Sequence, residues 1–205
     1  METNAVTLCG TLAGPPVFSH ESRMLRFYRL GLEVERLSGA VDRLNVLVRE
    51  QQLAQIELKE CPRLRVQGEV RSYNNRGGEG ARLVISVLAR SLELCDGYDS
   101  NLVELRGTLC KPPKLRCTPM GRDICDLMLA VNRHYRRSDY LPCICWGRMA
   151  LSAACWEVGQ KLSLTGRLQS RDYIKLTDGG PVSRTAYEIS AASIVPWDGE
   201  DVPGR

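Results

Sequence analysis

Residues 102–109 alternate apolar and polar positions, with Val103 and Leu105 on one side, and so predict a strand. Lys111-Pro-Pro-Lys114 breaks it. Residues 123–132 predict a second strand around Leu127, Leu129 and Val131, and Tyr140 to Trp146 a third. Leu151, Ala154, Cys155 and Val158 then fall at i, i+3, i+4 and i+7. That spacing predicts a short amphipathic helix with Gly159 just past its end. Leu162, Leu164 and Leu168 alternate in a fourth strand. Asp178-Gly-Gly-Pro181 predicts a turn, and Thr185-Ala-Tyr-Glu-Ile-Ser190 a fifth strand.

The same pattern occurs earlier in the chain. Asn4-Ala-Val-Thr-Leu-Cys-Gly-Thr-Leu-Ala-Gly-Pro-Pro16 aligns with Asn101-Leu-Val-Glu-Leu-Arg-Gly-Thr-Leu-Cys-Lys-Pro-Pro113 at a constant offset of 97. That offset also pairs Leu30 with Leu127, Leu32 with Leu129, Val34 with Val131, Arg36 with Arg133 and Asp42 with Asp139. One inserted residue later, Leu64 pairs with Leu162 and Gly68 with Gly166. So long a period excludes a solenoid and implies two homologous domains, 1–97 and 98–197, meeting around Cys95-Asp-Gly-Tyr-Asp-Ser100. In the first copy a helix is expected near residues 50–60, stopped before Pro62, and a loop at 74–80. Three strands, one short helix and two strands predict an all-β chain of two tandem five-stranded OB-fold barrels. That fold closes its own sheet and leaves a face open to oligonucleotides.

Composition narrows the class. A chain of 205 residues, 43% hydrophobic and 25% charged, holds two ordinary globular cores. No apolar run approaches the roughly 20 residues of a membrane span, and the first 25 residues lack the pattern of a secretory signal. Nine cysteines, an odd number without any Cys-x-x-Cys, argue against a disulfide framework or a zinc site. Cys143 and Cys145 share one strand face and read as small buried hydrophobes. The net charge of +4 falls entirely in residues 101–205, because residues 1–100 carry 13 basic and 13 acidic side chains.

Single strands are held by aromatic platforms under the bases and basic groups along the phosphates. Tyr140 and Trp146 share a face opposite Cys143 and Cys145, the natural core side. Arg148 follows Trp146, and Arg171 precedes Tyr173 by two. Tyr135 sits amid Arg133, Arg136 and Arg137. Basic and aromatic residues thus interleave at three places in one domain. For Trp146 the structural alternative is a core or subunit-interface ring. For Tyr135, Tyr140 and Tyr173 it is an ordinary surface position.

The second copy resembles the bacterial single-stranded DNA-binding protein family. The resemblance is carried by Asn101–Leu109, Leu115-Arg116, Met120-Gly121, Leu129-Ala-Val-Asn-Arg133, Cys145-Trp-Gly-Arg-Met-Ala150, Gly166-Arg-Leu-Gln-Ser-Arg-Asp-Tyr173 and Tyr187-Glu188. The resemblance implies base stacking by Tyr135, Tyr140, Trp146 and Tyr173, and phosphate contacts by Arg116, Arg148 and Arg171. Arg133 joins them as a basic candidate in its loop. It further implies a cytoplasmic, nucleoid-associated bacterial protein whose partner is single-stranded DNA, without a cofactor. Four barrels commonly work together in the family, so a two-barrel chain is expected to form a homodimer. Replication or repair proteins are further partners it suggests.

The first copy departs from this pattern. Ser38, Arg43 and Arg49 stand where the second copy has Tyr135, Tyr140 and Trp146, and Tyr73 alone lies near the place of Tyr173. Arg43 and Arg49 still share one strand face, as an electrostatic track more than a platform. The acidic end, 198–205, contains Asp201-Val-Pro203 but lacks the terminal Phe of the family's partner-recruiting tip. Alternatively, the chain is a replication-restart or mobile-element accessory using its barrels for protein contacts. No phosphate loop or catalytic constellation is present, since Arg76-Gly-Gly-Glu-Gly80 lacks the lysine, so no enzyme is expected.

Overall fold

The computed structural model describes residues 4–58, 62–75, 83–133, 137–177 and 180–198. In chain order the elements of the first copy are β1 (Asn4–Leu12), β2 (Val17–Ser22), β3 (Leu25–Glu35), β4 (Val41–Arg49), α1 (Glu50–Leu53), β5 (Arg63–Asn74) and β6 (Leu83–Leu94). Those of the second copy are β7 (Ser100–Leu109), β8 (Lys114–Cys117), β9 (Asp123–Asn132), β10 (Ser138–Trp146), α2 (Arg148–Ala153), β11 (Lys161–Thr177) and β12 (Gly180–Pro196). No helix among the described residues is long and apolar enough to cross a membrane.

Each copy closes on itself in the same order. In the second, β7 lies beside β11, β11 beside β12, β12 beside β10 and β10 beside β9. Thr108 and Leu109 of β7 then pair with Ala130 and Leu129 of β9, which completes the ring. The β10–β12 pairing is parallel (Cys143 with Ile189) and the β9–β10 pairing is an antiparallel hairpin. In the first copy β1, β5, β6, β4 and β3 form the equivalent ring, closed where Thr11 and Leu12 meet Glu33 and Leu32. This is the OB fold, twice. The added strands β2 and β8 extend the ring by pairing only with β3 and β9. The stretch after Lys111-Pro-Pro-Lys114, read as a break, therefore returns to the sheet.

The barrels close because alternate side chains have somewhere to go. On β4, Asp42, Leu44, Val46 and Val48 point inward while Val41, Arg43 and Arg49 are exposed. On β10, Leu141, Cys143 and Cys145 are buried while Tyr140 and Trp146 are not. Each fully buried Leu or Val contributes roughly 1.5–3 kcal/mol. Gly68 and Gly166, paired in the repeat, mark equivalent crossings. A Cβ there would collide with the Leu88 and Ser190 carbonyl oxygens.

The helices differ from their expected phase. α2 starts immediately after β10, at Gly147 with φ 57°, and buries Ala150 and Ala153. Leu151 and Val158, expected on the buried face, are 48% and 54% exposed. The strand hands the chain over three residues early. Small side chains then meet the barrel, and turn bonds from Cys155 and Trp156 end the helix before Val158. In the first copy α1 is a single turn with no buried residue, not a helix running to Pro62.

The chain divides into two compact units. One holds Val103–Arg167, the segment from Glu188 and the start of β1. The other holds Val6–Leu102 and also Leu168–Tyr187. Within this second unit the far ends of β11 and β12 lie along β4. The Ser170 amide donates to Asp42 Oδ1 at 2.7 Å, the Arg43 amide donates to Ser170 Oγ at 2.9 Å, and Asn45 Nδ2 donates to the Tyr187 hydroxyl at 2.8 Å. Burial raises the Tyr187 phenol above its ordinary pKa.

The described cysteines are free thiols, with Cys117 and Cys155 exposed and Cys125, Cys143 and Cys145 buried. Cys61 lies outside the described residues. Burial pushes Cys145 up to about 12 and Cys143 well above the normal thiol range. Because the thiolate is the reactive form, an aromatic disulfide reagent at pH 8 is expected to label Cys117 and Cys155 first. Cys143 and Cys145 should be labelled only after denaturant is added, with peptide mass spectrometry reading the order.

Candidate nucleic-acid interface

The first unit presents an aromatic row on the outside of β10. Tyr140 is 48% exposed and Trp146 38% exposed, while the residues between them at odd positions fill the core. Six residues of strand separate the rings by about 20 Å. The Trp146 indole N–H donates to Ser190 Oγ on β12 at 3.2 Å. Its one polar group is therefore satisfied at the ring edge, and a ring face is left for solvent. Ile144, on the same row, is buried.

The basic candidates differ in how free they are. Arg148 is exposed at the start of α2, and no carboxylate among the described residues pairs with it. Arg116 on β8 is bound bidentately by Asp126 on β9, with contacts of 2.6 and 3.0 Å, and Asp126 raises the guanidinium pKa. Arg133 donates to the fully buried carboxylate of Asp139. The repeat reproduces this pair as Arg36 and Asp42, with contacts of 2.8 and 2.5 Å. Each pair clasps the base of a hairpin loop. Tyr135 and Arg136, in the second copy's loop, lie outside the described residues, as do most of the Asp178 turn, the Arg76–Gly80 loop and Asp201-Val-Pro203.

The second unit carries the other candidates. Arg171 and Tyr173 are exposed on one side of β11, with the guanidinium carbon 5.9 Å from the ring centroid. Arg43 pairs with Glu33 at 3.1 Å, Arg49 is exposed, and Tyr73 is 55% exposed. Among the described residues no group of three or more His, Cys, Asp or Glu could hold a metal ion.

Two features escaped the sequence reading. In the first unit the Arg106 guanidinium lies 4.7 Å from the Trp197 ring centroid. In the second, β2 and β3 carry Phe18, His20, Phe27 and Tyr28 on an exposed hairpin. Phe18 and Tyr28 meet edge to face at 5.8 Å, with Arg26 over both rings. Arg26 and the Tyr28 hydroxyl both donate to Glu50, which raises the Tyr28 pKa. A signal was present, since both phenylalanines of the chain and three arginines fall within residues 18–29.

Residues 100–196 match the family described as "Single-strand binding protein family". The "Single-stranded DNA-binding protein" of Clostridium tetani is 35% identical over 111 residues, 51% of this chain and 76% of that relative. The chain belongs to the single-strand binding protein family. The "Single-stranded DNA-binding protein 2" of Listeria innocua is 37% identical over 101 residues, 46% of this chain and 62% of its own length. "Single-stranded DNA-binding protein A" of Bacillus subtilis is 39% identical over 80 residues, 36% of this chain and 46% of its own length. The chain thus spans 46–62% of the length of these two relatives. For fold, the wild-type single-stranded DNA binding protein from Thermus aquaticus superposes with a TM-score of 0.79 at 22% identity, covering 98% of this chain and 96% of that one. The sequence matches named above cover 36–51% of this chain, whereas that likeness extends over both copies.

Proposed function

We propose that this family member binds single-stranded DNA with little sequence preference and protects it during replication, recombination or repair, without catalysing a reaction. One observation carries the reading: Tyr140 and Trp146 stand outward on β10 while Leu141, Cys143 and Cys145 fill the core behind them. An outward tryptophan whose N–H is already satisfied, with the exposed Arg148 two residues on, suits base stacking beside a phosphate contact. By the family resemblance Tyr135 is a further stacking residue, Arg171 and Tyr173 form a separate stacking and phosphate pair on the second unit, and Arg43, Arg49 and Tyr73 give the first copy a weaker site. Arg133 serves chiefly through its pair with the buried Asp139. The functional halves are 1–97 and 98–197, followed by a short acidic tail at 198–205. Two chains pair to bring four barrels to one strand, in the bacterial cytoplasm.

A titration of labelled oligo-dT with excess duplex competitor, at low and near-physiological salt, tests this. Binding should survive the duplex and weaken with salt, with a log–log slope of about −0.7 for each phosphate neutralised. No binding at either salt would favour a protein-contact role instead.

Arg116 supplies a finer test. Asp126 neutralises it through an exposed ion pair, which is worth at most about 1 kcal/mol. Asp126→Asn should release the guanidinium to phosphate, tighten oligo-dT binding by up to about fivefold and steepen the salt slope.

A further inference from the structure

We infer that the first copy has its own base-stacking site, built on the β2–β3 hairpin by His20 and Phe27 with Arg49 and Arg29. The inference rests on the single-strand reading above and names a site for that ligand on a different strand pair.

The register makes the case. Trp146 lies directly across from Ile124 in the second copy. The repeat offset turns that pair into Arg49 and Phe27, which the structure again places directly across from each other. Directly opposed side chains share a sheet face. The ring lost from β4 therefore reappears one strand over, on the same face. A register shift between Phe18 and His20 then sets His20 across from Phe27. The two rings stack, with centroids 4.9 Å apart and planes 6° from parallel. His20, Arg29 and Arg49 are exposed and Phe27 half-buried.

The rest of this face supports the placement. Toward the other end of β4, Asn45 is engaged by Tyr187 and Arg43 by Glu33, so the open end is the one at Arg49. Alternation puts Phe18, Arg26 and Tyr28 on the opposite face of the hairpin, where Glu50 engages Arg26 and Tyr28 and would repel phosphate. The His20 face offers flat rings flanked by guanidinium groups, the chemistry of a sequence-tolerant single-strand contact. The phosphates on either side of a stacked base are the groups that such flanking arginines would meet.

The test uses the full chain. Oligo-dT carrying 5-iodouracil is photo-crosslinked to it, and the attached peptides are mapped. Crosslinks should fall on residues 17–29 as well as on β10. In a Trp146→Ala/Tyr140→Ala background, His20→Ala/Phe27→Ala should weaken the remaining binding about tenfold, the loss of one stacked base. Phe18→Ala, on the opposite face, should leave it unchanged. Should the His20/Phe27 pair disturb folding by thermal melt, Arg49→Glu carries the same expectation without touching the hairpin rings. If oligo-dT binds and crosslinks at β10 but not at 17–29, or if Phe18→Ala costs as much as the pair, this inference fails while the single-strand reading stands. If the chain binds no oligo-dT at all, both fail.

Discussion

Replacing Trp146 and Tyr140 together by alanine is expected to weaken oligo-dT binding at least 30-fold. Each stacked base is worth about 1–3 kcal/mol, so two platforms contribute about 2–6 kcal/mol. The folding penalty should be small by comparison. Both side chains are on the outer face, and the Trp146 hydrogen bond to Ser190 is itself worth about 1 kcal/mol. Trp146→Phe separates the contributions, because it keeps a ring and removes only the N–H. That variant should retain most of the affinity. Ser190→Ala should behave like Trp146→Phe, because it releases the ring edge without removing the platform. Fluorescence anisotropy with labelled oligo-dT, alongside thermal melts, reads both. An unchanged affinity in the double variant, with the fold intact, would remove the platform from the account.

Arg133→Met is expected to cost about 3 kcal/mol of stability without exposing any new core. Asp139 is fully buried, and its carboxylate receives the Arg133 guanidinium, which is itself about a quarter exposed. Removing one member of a buried pair typically costs 3–5 kcal/mol, because the other charge is left without compensation. Partial exposure of Arg133 puts this case at the lower end. For a unit of this size the loss lowers the melting temperature by more than about 10 °C. Adding Asp139→Asn to Arg133→Met removes the stranded charge and should restore part of the loss. Arg36→Met should behave alike, through Asp42 in the first copy. Calorimetry on the three variants measures this. If Arg133→Met melts with the parent protein, the clasp is not structural and Arg133 is free for another role.

The barrels were legible because their signals are local and repeated. Val103 and Leu105, Leu127 and Leu129, and Leu162 and Leu164 alternate and are buried, and their counterparts 97 or 98 residues earlier do the same. The outward placement of Tyr140 and Trp146 followed from parity with Cys143 and Cys145. What strand alternation does not encode is rotation and reach. Leu151 and Val158 satisfied a helical spacing, yet the start of α2 at Gly147 turned Ala150 and Ala153 inward. Nor does alternation say how far a strand runs. β11 continues to Thr177 and carries Ser170 to β4, a contact between residues 128 positions apart. The His20–Phe27 pair was hidden for a related reason. A shift in register decides which side chains oppose each other, and it leaves no periodic trace.

The central claim is that an unpaired strand lies on the outward rings of this sheet, and Trp146 can report it directly. In a chain carrying Trp156→Phe and Trp197→Phe, the only indole left is the one on β10. Titration with oligo-dT at near-physiological salt should quench its fluorescence in a saturable way, at the same concentrations where anisotropy shows binding. Binding that saturates with the indole emission unmoved would mean that the strand lies elsewhere, and would contradict the account.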